Sequence, residues 1–453
     1  MLVSRNISSR LPAAKQPAPA RLLRPSCYQL RRRSLSTHES APNIFWPSNY
    51  NLKTFEWPEE NLGITIAERG GFYPARLGET FEQGRFVITR KLGWGGFSSV
   101  WLAKDQKLQK SVAIKMLTAF GSREIQLGRM KEMEMLKKIA SANPSHPGFR
   151  HVGKLLHDFE FNSFAGTHVC AVTDVLSFDV PGLLIHSNES RLPLKLVLKL
   201  VRDTLKGLSY LHDECKIIHT DLKPDNILLK PTDVEATVMR ELSENPSKLW
   251  YINKDIAPDE LPFHPVAAAP IHFTPDFDGD VGLSWVISDF GHARPHIPDQ
   301  GGIVQPYALR APEVIFGLPW GPPIDIWSLG CLMFELATGQ WLFSPDVPTD
   351  LPREVVHLSQ MAQRMQDAHE LAPLRRYGKL IGVEDIEKLV NHAIPGVRPI
   401  QTMESDMEKY AKDHNGDSLM LGYTKLMRSF LTLDPSRRPR AEEALRDPLL
   451  TSL

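Results

Sequence analysis

Cysteine is scarce in this chain. Cys27, Cys170, Cys215 and Cys331 lie far apart without paired spacing, which argues against a disulfide framework or a structural zinc site and fits a reducing compartment. Long apolar runs are missing too: none reaches about 18 residues, so no transmembrane helix is expected. Neither charge sign is in excess. Lys plus Arg and Asp plus Glu both number 53, which removes the global electrostatic argument for a nucleic-acid or membrane-surface partner. What remains is 453 residues, 42% apolar and 23% charged, enough to bury a large core as one bilobed domain or about three small ones.

Acids are absent from residues 1–38, which hold seven Arg, one Lys and six Ser. That is the composition of a mitochondrial transit peptide, or of a disordered basic tail interrupted by Pro12, Pro17, Pro19 and Pro25. Residues 40–80 show no periodicity and read as an extended lead-in. From Phe86 onward three short β-type runs follow, at 86–88, 100–103 and 112–116, then a helix over 123–140. Val197, Leu200, Val201, Leu205, Leu208 and Leu211 recur at helical spacing, and 324–337 is apolar almost all round, as in a buried helix. Sheet first and helices after imply two lobes. Residues 230–285 break the pattern with seven prolines and ten acids against four bases, and read as an inserted, partly disordered surface loop.

Four groups of residues carry chemistry. Gly93, Gly95 and Gly96, between the first two strands, let backbone amides approach phosphate oxygens, although a plain hairpin turn has the same composition. Lys115 in an apolar strand requires an acid partner. Glu132, with Met135, Leu136 and Ile139 at i+3, i+4 and i+7, faces inward and is chosen over Glu124 and Glu134. Asp221 stands five residues before Asn226, with Lys223 between them, so a proton acceptor, a cation ligand and a counter-charge for a migrating phosphoryl group share one loop. Ser288-Asp289-Phe290-Gly291 adds a second chelating carboxylate on a glycine turn.

In this order, and with Ala311-Pro312-Glu313 after them, these parts resemble the protein kinase family from about Phe86 to Pro448. The resemblance implies an α+β, bilobed protein kinase fold. Its small antiparallel β-sheet N-lobe carries one key helix, and its larger C-lobe is mainly α-helical. The divisions expected are 1–62 leader, 63–177 lead-in and N-lobe, and 178–453 C-lobe with the 230–285 insertion. It further implies that Asp325 anchors the catalytic loop and that Arg438 pairs with Glu313. ATP would lie under Leu92, Gly93, Trp94, Gly95, Gly96, Phe97, Ser98, Ser99 and Val100. Adenine would sit between Leu92, Val100, Ala113 and Leu228, with its edge on the backbone of Asp174 to Leu176 after Thr173. Lys115, fixed by Glu132, would grip the phosphates, and Asn226 and Asp289 would hold Mg²⁺. Asp221 would accept the hydroxyl proton while Lys223 steadies the γ-phosphate.

Gly70-Gly71-Phe72-Tyr73-Pro74, Lys91-Leu92-Gly93-Trp94-Gly95, Ile218-His219-Thr220-Asp221 and Phe334-Glu335-Leu336-Ala337-Thr338-Gly339 narrow the likeness to the SR-protein kinases. That implies a non-specific serine/threonine protein kinase, monomeric, in cytoplasm and nucleus, acting on Arg/Ser-rich proteins such as splicing factors. The basic leader keeps the mitochondrion as the alternative location. The chain departs from the family at Pro306, usually threonine, and at Leu309, usually tyrosine. Three other readings are a scaffold without catalysis, a Ser/Thr kinase of other preference and a small-molecule phosphotransferase. The intact set Lys115, Asp221, Asn226 and Asp289 argues against the first, and Ala311-Pro312-Glu313, Asp325 and Arg438 against the last. Two further residues bear on regulation. Thr220 stands where many kinases have a phosphate-binding arginine, and between Gly291 and Ala311 the only hydroxyl is Tyr307. An enzyme active as synthesised is expected, its activation segment ordered by local packing and by Pro295, Pro298 and Pro306.

Overall fold

The computed structural model describes residues 57, 59–250, 265–273, 283–344, 352–365, 401–413 and 418–452. The basic leader over 1–38 and the middle of the insertion lie outside these residues. The first part of the chain is a six-stranded antiparallel sheet in the order β1-β2-β3-β4-β6-β5. Its strands are β1 Thr80–Phe81, β2 Phe86–Gly95, β3 Ser98–Asp105, β4 Lys110–Leu117, β5 Leu155–Ser163 and β6 Gly166–Thr173. Alternation sends Phe86, Ile88, Trp101, Ala103, Val112, Ile114, Cys170 and Val172 into one apolar cluster, closed by Phe81 and Phe159.

The helix expected over 123–140 is two helices, α1 Ala119–Gln126 and α2 Glu132–Ser141. Gly128, at φ +69°, takes a left-handed turn between them, which ends the first and lets the second start in a new direction.

The second part is helical. α3 is Val180–Ser187 and α4 is Leu194–Ser209, whose face Val197, Leu200, Val201, Leu205 and Leu208 is fully buried. One π-turn, Tyr210–Glu214, carries α4 into the catalytic loop. β7 Ile217–Ile218, β8 Ile227–Pro231, α5 Val234–Glu244, β9 Leu283–Ile287 and β10 Arg294–Pro295 follow. Next come α6 Pro312–Ile315, the buried α7 Pro323–Thr338, α8 Arg353–Met365, α9 Met403–Asp413 and α10 Ser418–Phe430. Among the described residues no helix is long and apolar enough to cross a membrane.

Two expectations need correction. The segment read as a partly disordered loop over 230–285 begins and ends inside the paired strands β8 and β9, and its described parts pack against the sheet. Val234, Val238 and Leu242 recur at i+4 along α5 and meet Leu102, Val175 and Ile271, an apolar stripe masked in the sequence by the surrounding charges. Glu235 of α5 accepts from Ser111 N at 2.5 Å, while Ser177 Oγ donates to Ile271 O at 2.6 Å. The boundary placed at residue 62 also falls inside an engaged segment, because Glu59 and Glu60 both reach Lys91 on β2.

Candidate active site

Lys115 sits mid-way along β4 and two carboxylates meet it: Glu132 Oε1 at 2.5 Å and Asp289 Oδ1 at 3.0 Å. Glu132 opens α2, where a carboxylate also faces the favourable end of the helix dipole, and Met135, Leu136 and Ile139 bury that face. Burial alone would lower the Lys115 pKa. The charges of Asp289 and Glu132 overcome it and raise the ammonium above the usual lysine range. Reciprocally, Lys115 outweighs burial and holds the Asp289 carboxyl well below the usual carboxylate range. Both groups are therefore ionised at neutral pH.

Asp289 has left-handed backbone at φ +57°. An added Cβ on Gly291 would lie 3.3 Å from Asp289 Oδ1 and 3.7 Å from Glu132 Oε2, so glycine keeps the two carboxylates close. Phe290 is buried edge-on against His219, ring centroids 5.4 Å apart.

The catalytic loop hangs on one buried acid. Asp325 of α7 accepts from His219 N at 2.8 Å and Thr220 N at 2.9 Å, and lies 2.9 Å from His212 Nε2. Burial pushes its carboxyl up, but the hydrogen bond and charge of His212 bring it below its ordinary value. His219 Nε2 donates to Ser288 O at 2.9 Å and its Nδ1 accepts from Asp221 N at 3.3 Å, one consistent tautomer. Thr220, β-branched and at φ +63°, holds backbone strain of about 1–3 kcal/mol directly before Asp221. Asp221 Oδ2 then meets Asn226 Nδ2 at 3.0 Å and Lys223 Nζ at 3.1 Å.

These groups border a cavity of about 720 Å³, a size suited to a nucleotide-sized ligand. Leu92, Val100 and Ala113 line one side and Leu228 the other, with Thr173, Asp174 and Leu176 at the edge and Lys115, Glu132, Asn226 and Asp289 at the polar end. Gly93 and Gly95 line it as well. A Cβ on either would meet open space and neither has positive φ, so backbone geometry does not require glycine and the vacant volume lies over the cavity. A triphosphate with a hard cation fits this donor set. Among the described residues no group of three His, Cys, Asp or Glu could hold a metal by itself, and Mg²⁺ needs only one or two carboxylates when phosphates supply the rest.

Trp94 and Ser98 also line the cavity. Of the other expected residues, Phe97 turns to Phe120, with ring centroids 5.6 Å apart, and Ser99 is buried, its Oγ accepting from Trp101 Nε1 at 2.9 Å. Gly96, Asp221 and Lys223 are not lining residues; Asp221 joins the site through Asn226. Sequence reasoning missed Phe178, Asp179, Pro270, Ile271 and His272 on the outer wall. Three of them belong to the segment read as a loose loop.

The activation segment is held by hydrogen bonds to backbone groups, none of which involves an acidic side chain. Thr220 Oγ1 donates to His292 O at 2.8 Å, and β10 pairs with β7. Gln305 Nε2 donates to Ile324 O and its Oε1 accepts from Ala311 N, at 2.8 and 2.9 Å. Arg310 donates to Val304 O and Gln305 O, both at 3.0 Å, and Trp320 Nε1 to Gly302 O at 2.9 Å. No phosphate is needed to close any of these bonds. Protein made in bacteria and treated with phosphatase should keep its specific activity within about twofold, since the hydrogen bonds described here order the segment without a phosphate. A drop of tenfold or more would refute this.

At the far end, Arg438 Nη1 and Nη2 bind Glu313 Oε1 and Oε2 at 2.6 and 2.9 Å, fully buried. The protein kinase domain family matches residues 86–239 and 284–450, more than half of the chain. A serine/threonine-protein kinase SRPK of Physarum polycephalum is 33% identical over 67% of this chain and 72% of its own length. SRSF protein kinase 3 of Mus musculus is 27% identical over 84% and 89%. A serine/threonine protein kinase of Aspergillus fumigatus is 30% identical over 91% and 95%. The ion-paired lysine, the suspended catalytic loop, the inward Asp289 and these matches agree: the chain belongs to the protein kinase family, as a serine/threonine kinase of the SR-protein kinase type.

Proposed function

We propose that this kinase transfers the γ-phosphoryl group of ATP to serines in Arg/Ser-rich proteins, as the name of the SRSF kinase relative suggests for that protein. Lys115, fixed by Glu132, grips the phosphates. Asp289 and Asn226 would hold Mg²⁺, which would neutralise phosphate charge. Asp221 takes the hydroxyl proton and Lys223 faces the transferred group. With Asp221 already 3.1 Å from Lys223, proton acceptor and counter-charge are pre-positioned, and phosphoryl transfer asks for little else.

The substrate reading rests on one observation, a set of acids beside the catalytic loop with no ion-pair partner among the described residues. Asp225 Oδ2 and Glu335 Oε2 are buried and have no hydrogen-bond partner among the described residues. Burial, then the charge of Asp225, pushes Glu335 up to about 7. Asp179 is pushed up to about 6, chiefly by burial, and Asp225 adds to it against the bond from Gly182. A guanidinium beside the target serine would pair with these oxygens and relieve the repulsion.

The sign of the pH dependence follows. Glu335 and Asp179 take up protons as pH falls through about 7 and about 6 in the free enzyme, whereas an arginine substrate selects their ionised forms. The KM for an Arg/Ser peptide should therefore fall as pH rises from about 5.5 to 7.5, and Glu335→Gln should flatten that slope without changing the KM for ATP. A slope that persists in the variant would remove Glu335 from substrate recognition. A peptide array tests the substrate class: Arg/Ser repeats should be turned over at least tenfold better than acidic or proline-directed serine peptides. Equal turnover would leave the kinase and overturn its proposed substrate. For location we propose cytoplasm and nucleus; a reporter carrying residues 1–45 that entered mitochondria would replace that reading.

A further inference from the structure

Lys91 is the most deeply buried lysine near the cavity, and the mechanism above does not use it. Only 2% of its side chain is exposed, although it lies on β2 two residues before Gly93. Its ammonium is bound by Glu59 Oε2 at 2.6 Å and by Glu60 Oε2. Both acids come from the lead-in, well upstream of Phe86, where the family match begins. Glu59 is itself held from the other side, because Oε1 accepts from Ala268 N at 2.7 Å and from Trp250 Nε1 at 3.1 Å. The same insertion segment, a strap over 265–273, closes on Lys91 as well, with Ala269 N donating to Lys91 O at 2.9 Å. Side chain and backbone of Lys91 are thus gripped by two segments outside the sheet.

What this grip controls is visible in the β2–β3 register. Lys91 pairs with Trp101, but Gly93 pairs with Val100, so the strand bulges at Leu92. A bulge re-aims the side chain it carries. Leu92 is turned onto the cavity wall and against Leu102, Val175 and Ile271. The residue after it begins the glycine turn over the phosphate end. Releasing Lys91 lets the bulge slide or flatten, and Leu92 and Gly93 move with it.

We propose that Glu59 and Glu60 are positioning residues for nucleotide binding, acting through Lys91 to fix the bulge that aims Leu92 and the glycine turn. The catalytic unit of this chain therefore includes the lead-in at least from Glu59. The proposal takes the kinase activity as given and does not depend on which protein is the substrate.

The test is two-substrate steady-state kinetics on the full chain carrying Glu59→Gln and Glu60→Gln. Glutamine still accepts from Ala268 N, so the strap keeps its register and only the counter-charge is lost. The KM for ATP is expected to rise about tenfold, while kcat and the KM for peptide change less than about twofold. Lys91→Met, which removes the ammonium that both acids hold, should raise the KM for ATP by a similar factor, and adding it to the double variant should raise it no further. A KM for ATP within twofold of the parent in the double variant would overturn the proposal. So would kcat and both KM values changing together, because that pattern marks general unfolding.

Discussion

Replacing Asp221 with asparagine is expected to lower kcat by about 10²- to 10⁴-fold, the contribution of a positioned general base, and to leave ATP affinity within twofold. Asparagine preserves the shape of the loop. The bond from Asn226 Nδ2 to the Asp221 backbone oxygen, 2.8 Å, does not involve the side chain, and Asp325 continues to hold His219 N and Thr220 N. The residues that border the cavity do not include Asp221, so the nucleotide loses no contact. Radiolabel transfer to an Arg/Ser peptide measures the first quantity and titration with a fluorescent nucleotide the second. Undiminished transfer would remove Asp221 from its role, and a tenfold loss of ATP affinity would show that it supports the pocket rather than the proton.

The largest expected loss of stability comes from Arg438→Met. Its guanidinium binds both oxygens of Glu313, donates to Thr432 O at 2.8 Å and Pro323 O at 3.1 Å, and stacks 4.9 Å from the Trp327 ring. Methionine fills much of the space but leaves the Glu313 carboxylate buried without a cation, a change that costs about 3–5 kcal/mol. Urea titration should show this loss. The second variant, Glu313→Gln with Arg438→Met, should recover a substantial part, because a neutral amide tolerates burial better than a lone carboxylate. If the double variant is no more stable than Arg438→Met alone, the cost lies in the lost carbonyl contacts and not in the ion pair.

The parts of the site that proved legible in the sequence are those where one residue type is demanded by chemistry. Lys115 in an apolar strand had to find an acid, and helical spacing after Glu132 picked it out correctly although the helix around it starts only at that residue. Asp325 and Arg438 were readable by resemblance, and their geometry follows from burial: isolated charges inside an apolar helix bundle must satisfy neighbouring backbone or each other. The two-helix break at Gly128 was harder to read, since a single glycine within a helical pattern is common enough to pass unnoticed. The packed parts of the insertion were missed for a different reason. Their contacts are made at long sequence separation, Arg90 with Glu241 at 3.2 Å and Lys104 with Glu235 at 3.5 Å, and charge pairs of this kind leave no periodic trace in the chain. Composition advertised a solvated loop because half of each pair was counted as surface charge.

The bond from Thr220 Oγ1 to His292 O has a consequence for how the cell governs output. A hydroxyl-to-carbonyl tether has no titrating or enzymatically removable component, so neither phosphatases nor a pH swing can unlatch it. Output is then expected to follow supply: how many copies are synthesised, how quickly they are destroyed, and whether the protein shares a compartment with what it modifies. Such an enzyme runs as a fixed-gain amplifier, and a change in dosage should translate into a proportional change in phosphorylated product.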